Sequence, residues 1–310
     1  MDYIQQAYKG KFQFWKYLLI PGGFLGLMVL NYLAIKLLNL DVDKIIQSEI
    51  KSKGENRFLI EMLLPFAVGL SLLFLWVKYI HKQSLVSLTT ARKNIDWKRF
   101  WFIFILWGII SSSFVLIDYY MSPEDYEFNF QLKPFLILAV IAILFIPLQT
   151  SFEEYLFRGY LMQGIGVISK SKWVPLLLTS VIFGLMHIAN PEVDKLGPVI
   201  MIYYIGTGLF LGIITLMDDG LELALGFHAA NNLFTALLVT ADWTAFQTHS
   251  ILKDLSDPSE MALAEIFVPV FVVFPILLFI LSKKYNWTNW KDKLLGSVIE
   301  PPKEDYKIID

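Results

Sequence analysis

Apolar runs long enough to cross a lipid bilayer recur along almost the whole sequence. A membrane-spanning helix needs about 20 mostly apolar residues, and eight segments approach or exceed that length. They cover about residues 17–38, 58–77, 100–120, 134–162, 173–189, 197–217, 221–240 and 265–282. The chain is 56% hydrophobic and 17% charged, whereas soluble domains carry about 25% charged residues. The sequence therefore predicts an all-α polytopic membrane protein, a bundle of about eight transmembrane helices.

Charge and cysteine content exclude several classes of function. The 26 basic and 28 acidic residues give a net charge of −2, without the basic excess that is typical of nucleic-acid binding. We therefore expect the lipid bilayer, and no nucleic acid, as a partner. The absence of cysteine excludes disulfides, a thiolate nucleophile and Cys-ligated metals. Chemistry must come from Glu, Asp, His or Ser side chains, or from a metal that they hold.

The distribution of Lys and Arg predicts the orientation in the membrane. With the N-terminus inside, 17 basic residues lie in cytoplasmic segments and seven in external loops, which favours cytoplasmic termini. We expect a cytoplasmic segment, an eight-helix membrane domain and a cytoplasmic tail, at residues 1–16, 17–282 and 283–310. The main external loops would be residues 39–57, 122–133 and 241–264. No organelle-targeting signal is evident, so we expect a bacterial plasma membrane.

Three ionisable residues lie deep in the fourth apolar run. A charged group in hydrocarbon is costly and is a candidate functional residue by default. Glu154 and Arg158 are four residues apart and share a helix face, so we expect a charge-assisted pair. Glu153 points about 100° away from Glu154 around the helix. Its carboxylate is predicted to stay free for chemistry.

Two histidines lie in other apolar runs. A single histidine in a membrane usually forms a hydrogen bond between helices, but His187 and His228 add two imidazoles to a deep glutamate. His228 and Asn232 share a helix face and are expected to point into one cavity. Phe183, four residues before His187, is expected to line the same site. Asn231 is predicted to face away and pack.

A carboxylate and two imidazoles from three helices can activate water for amide hydrolysis. A buried Glu can accept a proton from water, while His and Asn side chains stabilise an oxyanion. Two alternatives use the same atoms. Glu and His chains relay protons in transporters, although the two halves of this sequence show no inverted repeat. Alternatively Glu153, His187 and His228 could hold a catalytic zinc.

Three motifs resemble those of a known family of membrane proteases. Glu153-Glu-Tyr-Leu-Phe-Arg158 is similar to its EExxxR motif, Phe183 to His187 to FxxxH, and His228 to Asn232 to HxxxN. The family is CPBP, the CAAX proteases and bacteriocin-processing (Abi) proteins. The similarity covers about residues 134–240, and the family's architecture also has eight spans.

The resemblance implies an intramembrane endopeptidase that hydrolyses a peptide bond in or near the membrane. It implies that Glu153 is the base, that His187 positions water, and that His228 and Asn232 stabilise the oxyanion. Glu154 and Arg158 would support them. Members are named metalloproteases, but a metal-free glutamate mechanism is also proposed, and we prefer no cofactor over zinc. Expected substrates are peptides or membrane proteins, including lipidated C-termini and bacteriocin-like peptides. An inactive scaffold or immunity protein of the same family is the alternative.

Two geometric expectations follow from helix dimensions. Straight helices would place Glu153 and His187 nearly 20 Å apart in depth, at 1.5 Å per residue. We therefore expect the long fourth helix to tilt or to bend at Pro147, bringing the site into a water-filled cavity in the middle to cytoplasmic half. Tight helix packing is expected at two pairs of small residues, Gly22 with Gly26 and Gly208 with Gly212.

Overall fold

The fold was determined as a computed structural model, which describes residues 1–258 and 263–306. The predicted external loop 241–264 and the predicted tail 283–310 therefore lie partly outside the described residues. The α-helices are α1 (Phe14–Leu37), α2 (Val42–Lys53), α3 (Glu55–Leu75), α4 (Leu85–Thr89), α5 (Trp97–Met121), α6 (Leu132–Glu154), α7 (Met162–Ser169), α8 (Trp173–Leu185), α9 (Pro191–Leu196), α10 (Met201–Asp218), α11 (Glu222–Leu238), α12 (Leu263–Val268), α13 (Phe274–Tyr285) and α14 (Trp290–Leu295).

Shorter elements extend or connect these helices. Turns of π-helix cover Trp76–Ile80, Tyr155–Leu161 and Pro269–Val273. Turns of 3₁₀-helix cover Ile4–Lys9, Pro123–Asp125, Met186–Ala189, Pro198–Ile200 and Lys303–Asp305. The strands β1 (Tyr126–Phe128), β2 (Val239–Ala241) and β3 (Leu252–Asp254) form a small sheet in the order β1-β3-β2. β3 pairs antiparallel with β1 and parallel with β2.

The predicted all-α polytopic membrane architecture is confirmed. Among the described residues, six helical stretches are long and apolar enough to cross a bilayer. They are Phe14–Leu37, Glu55–Ile80, Trp97–Met121, Leu132–Ser169, Pro198–Asp218 and Leu263–Tyr285. The fifth and seventh predicted spans form shorter helices, the apolar stretch Trp173–Ala189 and the 17-residue α11. Six clear spans support a multi-pass protein, and the count of eight stays a prediction.

The segments between the spans gather at two ends of the bundle. At one end Lys172 contacts Asp2 at 3.0 Å, and Arg92 binds Asp218 at 3.0 Å and Glu222 at 2.8 Å. These residues come from the N-terminus and from connections that the charge distribution predicts to be cytoplasmic. The tail reaches the same end, because Lys293 pairs with Asp219. The structure thus places the Lys- and Arg-rich segments together.

The other end carries the segments that were predicted to be external. Lys195 pairs with Asp43 at 2.6 Å, and Gln47 donates to Gln247 at 2.8 Å. The β-sheet lies at this end and joins the segment after α5 to the segment after α11. The alternation of loops is therefore consistent with the charge pattern, while the end that faces the cytoplasm stays a prediction.

The helical stretch Leu132–Ser169 forms the centre of the bundle. Its 38 residues correspond to about 57 Å at 1.5 Å per residue, almost twice the hydrocarbon thickness of about 30 Å. α6 packs on α3 and α11, and every residue of the π-helical turn Tyr155–Leu161 is buried. Pro147 lies inside α6, and the backbone changes from α-helical to π-helical hydrogen bonding at Tyr155, while the expected tilt or bend at Pro147 stays a prediction. Such π turns often mark functional sites.

One of the two predicted glycine contacts is present and the other is absent. A Cβ atom added to Gly208 would lie 2.7 Å from the carbonyl oxygen of Ser180, because α10 packs directly on α8 there. An added Cβ on Gly22 or on Gly26 would meet no atom within 4 Å. The prediction of tight packing is therefore wrong for α1, whose surface is largely exposed.

A matched pair of substitutions tests this difference in packing. We expect Gly208→Ala to lower the free energy of unfolding by about 1 to 3 kcal/mol, the usual cost of overpacking a tight contact. Gly22→Ala should leave stability unchanged or raise it by up to about 1 kcal/mol, since Ala favours helix more than Gly. Unfolding of the purified protein in detergent measures both. Equal effects of the two substitutions would contradict the predicted packing of α10 on α8.

Candidate active site

The ionisable residues of the EExxxR segment are buried where α6 becomes a π-helical turn. Glu153 and Glu154 end α6, and Arg158 lies within the turn. Arg158 and Glu154 are completely buried, and Glu153 is 4% exposed. Three ionisable side chains in an apolar bundle need partners, because an unpaired buried charge is strongly destabilising.

The predicted pair of Glu154 and Arg158 is present. Arg158 donates from Nη1 to Glu154 Oε1 at 3.0 Å and from Nη2 to the Gly208 carbonyl at 3.1 Å. The guanidinium lies over the Phe183 ring, with the central carbon 4.1 Å from the ring centroid. The arginine therefore holds together three helices, through α6, α10 and the phenylalanine of α8. Phe183 is also 5.8 Å from the His228 ring, centroid to centroid.

His228 lies between the two glutamates. Its Nδ1 donates to Glu154 Oε1 at 2.8 Å, and its Nε2 is 3.6 Å from Glu153 Oε2. The same histidine therefore connects the arginine pair to the second carboxylate. The spacing in the sequence predicted different roles for the two glutamates, Glu154 as the partner of Arg158 and Glu153 as a free carboxylate. It could not show that one imidazole contacts both.

Glu153 is not free of partners, contrary to the sequence-based expectation. Gln149 lies one helical turn earlier and donates to Glu153 Oε1 at 2.6 Å. The other oxygen, Oε2, makes no hydrogen bond within the described part of the chain. The i,i+4 spacing of Gln149 and Glu153 could have identified this contact. The carboxylate is thus held through one oxygen, and its other oxygen lacks a hydrogen-bond partner among the described residues.

A chain of side-chain amides reaches Glu153 from α11. Asn232 donates to Gln149 Oε1 at 3.1 Å. Asn231 donates to Asn232 Oδ1 at 3.2 Å and accepts from the Trp107 indole at 3.0 Å. Asn231 therefore faces the site, and the prediction that it points away was wrong. Two neighbouring residues of a helix can both contribute because a carboxamide extends beyond the backbone by several bonds.

His187 lies on the 3₁₀ turn that follows α8. Its Nδ1 donates to the Phe183 carbonyl at 2.9 Å, so a neutral imidazole presents an acceptor nitrogen at Nε2. The ring stacks on Tyr204, with centroids 4.3 Å apart and planes 14° from parallel. Backbone and aromatic contacts together fix the orientation of this imidazole.

Glu153, His187 and Asn232 line one cavity of about 420 Å³. Gln149 and Asn231 are also part of the wall. The cavity therefore joins residues of all three motifs, although a straight-helix estimate separated the first two in depth. His228 contacts this group from behind Glu153.

The cavity extends towards the end of the bundle opposite to the one expected. Its wall includes Glu192, Trp243 and Asp254, which belong to the segments predicted to be external. In the predicted orientation this end is external, so that orientation and the expected cavity in the middle to cytoplasmic half cannot both hold, and both stay predictions. The cavity reaches this end because of the packing of the segment after α11, where Ala245 donates its backbone N–H to Glu192 at 2.9 Å.

Glu192 is a second carboxylate at the cavity, partly buried in the fold. Its Oε1 accepts the Ala245 hydrogen bond, and its Oε2 has no hydrogen-bond partner among the described residues. Burial raises the pKa of the Glu192 carboxyl above its ordinary value, and the Ala245 N–H opposes this change. No motif in the sequence indicated this residue, because it follows a span in a polar connection.

The predicted zinc ligands do not form a metal site in this structure. Among the described residues, no group of three His, Cys, Asp or Glu side chains is arranged to hold a metal ion. His187 Nδ1 and His228 Nδ1 are already bonded to the Phe183 carbonyl and to Glu154. Each Nε2 atom stays available as a ligand, so only the arrangement of the side chains, and not the loss of their donor atoms, disfavours a three-residue metal centre in the described structure.

Comparison with known proteins identifies the segment that carries the site. Residues 132–234 match the family model "Type II CAAX prenyl endopeptidase Rce1-like". This match confirms the predicted resemblance to CAAX proteases, and it covers about a third of the chain. All three motifs fall within the matched residues.

A longer match relates the chain to a bacterial protein. The chain is 32% identical over 168 residues to the protein from Bacillus subtilis (strain 168) named "Uncharacterized protein YyaK". The aligned region is 54% of this chain and 56% of that relative, so the chain covers little more than half of the relative's length. No solved structure matches the chain.

The buried position of Arg158 predicts that even a conservative substitution is costly. Arg158→Lys keeps the charge but cannot serve the Glu154 carboxylate, the Gly208 carbonyl and the Phe183 ring together. We expect the free energy of unfolding to fall by about 3 kcal/mol or more, the cost of disrupting a buried ion pair. Thermal unfolding in detergent measures the loss.

Arg57→Lys is the matched control for this substitution. Arg57 pairs with Glu61 at 3.0 Å with the same i,i+4 spacing, but its side chain is 72% exposed. Exposed pairs of this kind contribute about 0.3 to 0.5 kcal/mol, so little change is expected. A loss in Arg158→Lys as small as in the control would show that the guanidinium is not needed for the fold.

Proposed function

We propose that this protein is an intramembrane endopeptidase of the CAAX-protease type that hydrolyses a peptide bond with water activated by Glu153. The observation that carries the proposal is the position of Glu153, whose side chain lines a cavity shared with His187 and Asn232 and whose Oε2 atom makes no hydrogen bond among the described residues and lies 3.6 Å from His228 Nε2. The Rce1-like family match over residues 132–234 supports the same reaction class.

In this mechanism Glu153 is the general base. Its Oε2 accepts a proton from water, and the resulting hydroxide attacks the carbonyl carbon of the scissile amide. The His187 Nε2 atom accepts a hydrogen bond from the same water and orients it. The proton then passes to the leaving nitrogen, the C–N bond breaks, and a carboxylic acid and an amine are released, which become a carboxylate and an ammonium group when the amine takes the acid proton.

The charge balance of the cluster favours a shared proton. Glu153 and Glu154 contribute two negative charges and Arg158 contributes one positive charge, all at buried positions. The proton that Glu153 takes from water makes the group neutral, which is the less costly state in an apolar bundle. The 3.6 Å contact between His228 Nε2 and Glu153 Oε2 is where we place that proton. The pair can then hold the proton taken from water until the leaving group accepts it.

Asn232 is proposed to stabilise the oxyanion. One of its two N–H groups donates to Gln149, and a carboxamide has a second N–H. Its position at the cavity wall makes that donor available to the negative oxygen of the tetrahedral intermediate. His228 contributes to this step only through its contact with Glu153. Gln149 and Asn231 act as positioning residues, because they hold Glu153 and Asn232 in place.

We also propose a domain organisation, a membrane orientation and a substrate class for this protein. The membrane domain covers residues 17–282, the protease core residues 134–240, and both termini are cytoplasmic in a bacterial plasma membrane. Substrates are peptides or membrane proteins that reach the cavity in the bilayer. We propose that the reaction needs no cofactor, since Glu153 and the two histidines supply the proton transfers.

Cleavage of a library of membrane peptides by purified protein tests the proposal. We expect Glu153→Gln to lower cleavage by about 10⁴-fold or more, as in the loss of a catalytic base together with its charge. Glu61→Gln is the control, because Glu61 is an exposed carboxylate on α3. Mass spectrometry of the products identifies the bonds that are cut.

Three further results would change the conclusion. Equal cleavage by wild type and Glu153→Gln would contradict the base assignment. Cleavage abolished by a metal chelator would contradict the cofactor-free mechanism. A wild-type protein that cleaves no peptide while remaining folded would favour the non-catalytic scaffold function.

A further inference from the structure

The cavity holds a polar feature that the proposed chemistry does not use. Glu192 lies on α9, away from the three motifs, and its Oε2 atom is buried without a hydrogen-bond partner among the described residues. A buried carboxylate oxygen with no partner is costly. The fold retains it at the wall of the cavity that contains Glu153.

The charge of the cavity wall is entirely acidic. Glu153, Glu192 and Asp254 line it, and no Lys or Arg does so within the described residues. The lysines that lie nearby along the chain already have acidic partners. Lys195 pairs with Asp43 at 2.6 Å and Lys253 with Asp242 at 2.8 Å. A cationic partner for Glu192 would therefore come from outside the described residues.

The surroundings of Glu192 also suit a peptide. Trp243 lines the same cavity, and its indole N–H is buried without an acceptor in the described structure. An indole N–H is a donor only, so it requires an acceptor such as a peptide carbonyl. Tyr204 and Phe246 add aromatic faces to the wall, and such faces attract ammonium and guanidinium groups. The cavity wall thus contains one carboxylate oxygen, Glu192 Oε2, and one indole N–H, that of Trp243, which have no hydrogen-bond partner among the described residues.

We propose that Glu192 determines substrate specificity by binding a cationic group, an ammonium or guanidinium, of the peptide that enters the cavity. The inference rests on the proposed function, because it requires a peptide to occupy this space. A substrate that presented its free C-terminal carboxylate here would meet three carboxylates and no cation. Peptides with Lys or Arg, or with a free amino terminus, near the cleaved bond are therefore the favoured class.

Binding of matched peptides to the full-length protein tests the inference without depending on cleavage. The probes are fluorescent hydrophobic peptides that carry one Lys, with twins that carry norleucine at the same position. We expect the Lys peptide to bind wild type about tenfold more tightly, as for a largely buried ion pair. Glu192→Gln should remove this preference while preserving the acceptor for Ala245. Glu192→Lys should reverse it in favour of an Asp-containing twin.

Two controls test whether the preference for the Lys peptide depends on Glu192 and on the Lys side chain. Glu124→Gln removes an exposed carboxylate at the same end of the bundle and should keep the Lys preference. Acetylation of the peptide amino terminus distinguishes a side-chain cation from a terminal one, since only the second loses binding. Equal binding of the Lys and norleucine peptides to wild type, or an unchanged preference in Glu192→Gln, would overturn the inference. A Glu192-dependent preference without cleavage would instead reject the proposed hydrolysis and retain the binding site.

Discussion

Arg158 is the interaction on which the rest of the site depends. A guanidinium cannot be deprotonated in a protein, so its complete burial requires permanent partners. Glu154 neutralises it, the Gly208 carbonyl accepts a second hydrogen bond, and the Phe183 ring covers its face. These contacts come from different helices, so the charge fixes the relative positions of α6, α8 and α10. The reactive groups are then held on a rigid frame.

The adjacent residues Glu153 and Glu154 have different hydrogen-bond partners. Glu154 is occupied by Arg158 and by His228, through the same oxygen. Glu153 is anchored by Gln149 through one oxygen only, and its other oxygen is 3.6 Å from His228. Glu154 is thus bonded to two side chains, whereas Glu153 lines the cavity and has one oxygen without a hydrogen-bond partner among the described residues. This division follows from contacts that differ around the helix, although the two side chains are chemically identical.

The cavity is lined by Glu153 and by a second carboxylate, that of Glu192. Glu153 and Glu192 both present an unpartnered carboxylate oxygen, and both line the same space. The first lies with the groups that can activate water. The second lies beside Trp243, whose indole also lacks an acceptor in the described structure. The proposed catalytic base, Glu153, and the proposed specificity residue, Glu192, therefore share one feature: each has a carboxylate oxygen without a hydrogen-bond partner among the described residues.

The sequence alone determined the membrane class, the positions of most helices and the pairing of Glu154 with Arg158. Those features depend on local hydrophobicity and on helical spacing, both of which can be counted along a chain. Tertiary structure alone decided that His228 contacts both glutamates and that Asn231 faces the site. It also decided that Glu192 and Trp243 complete the cavity wall. These contacts join residues that are far apart in the sequence. Helix tilt and loop packing bring them together, and the periodicity of the sequence contains no information about either.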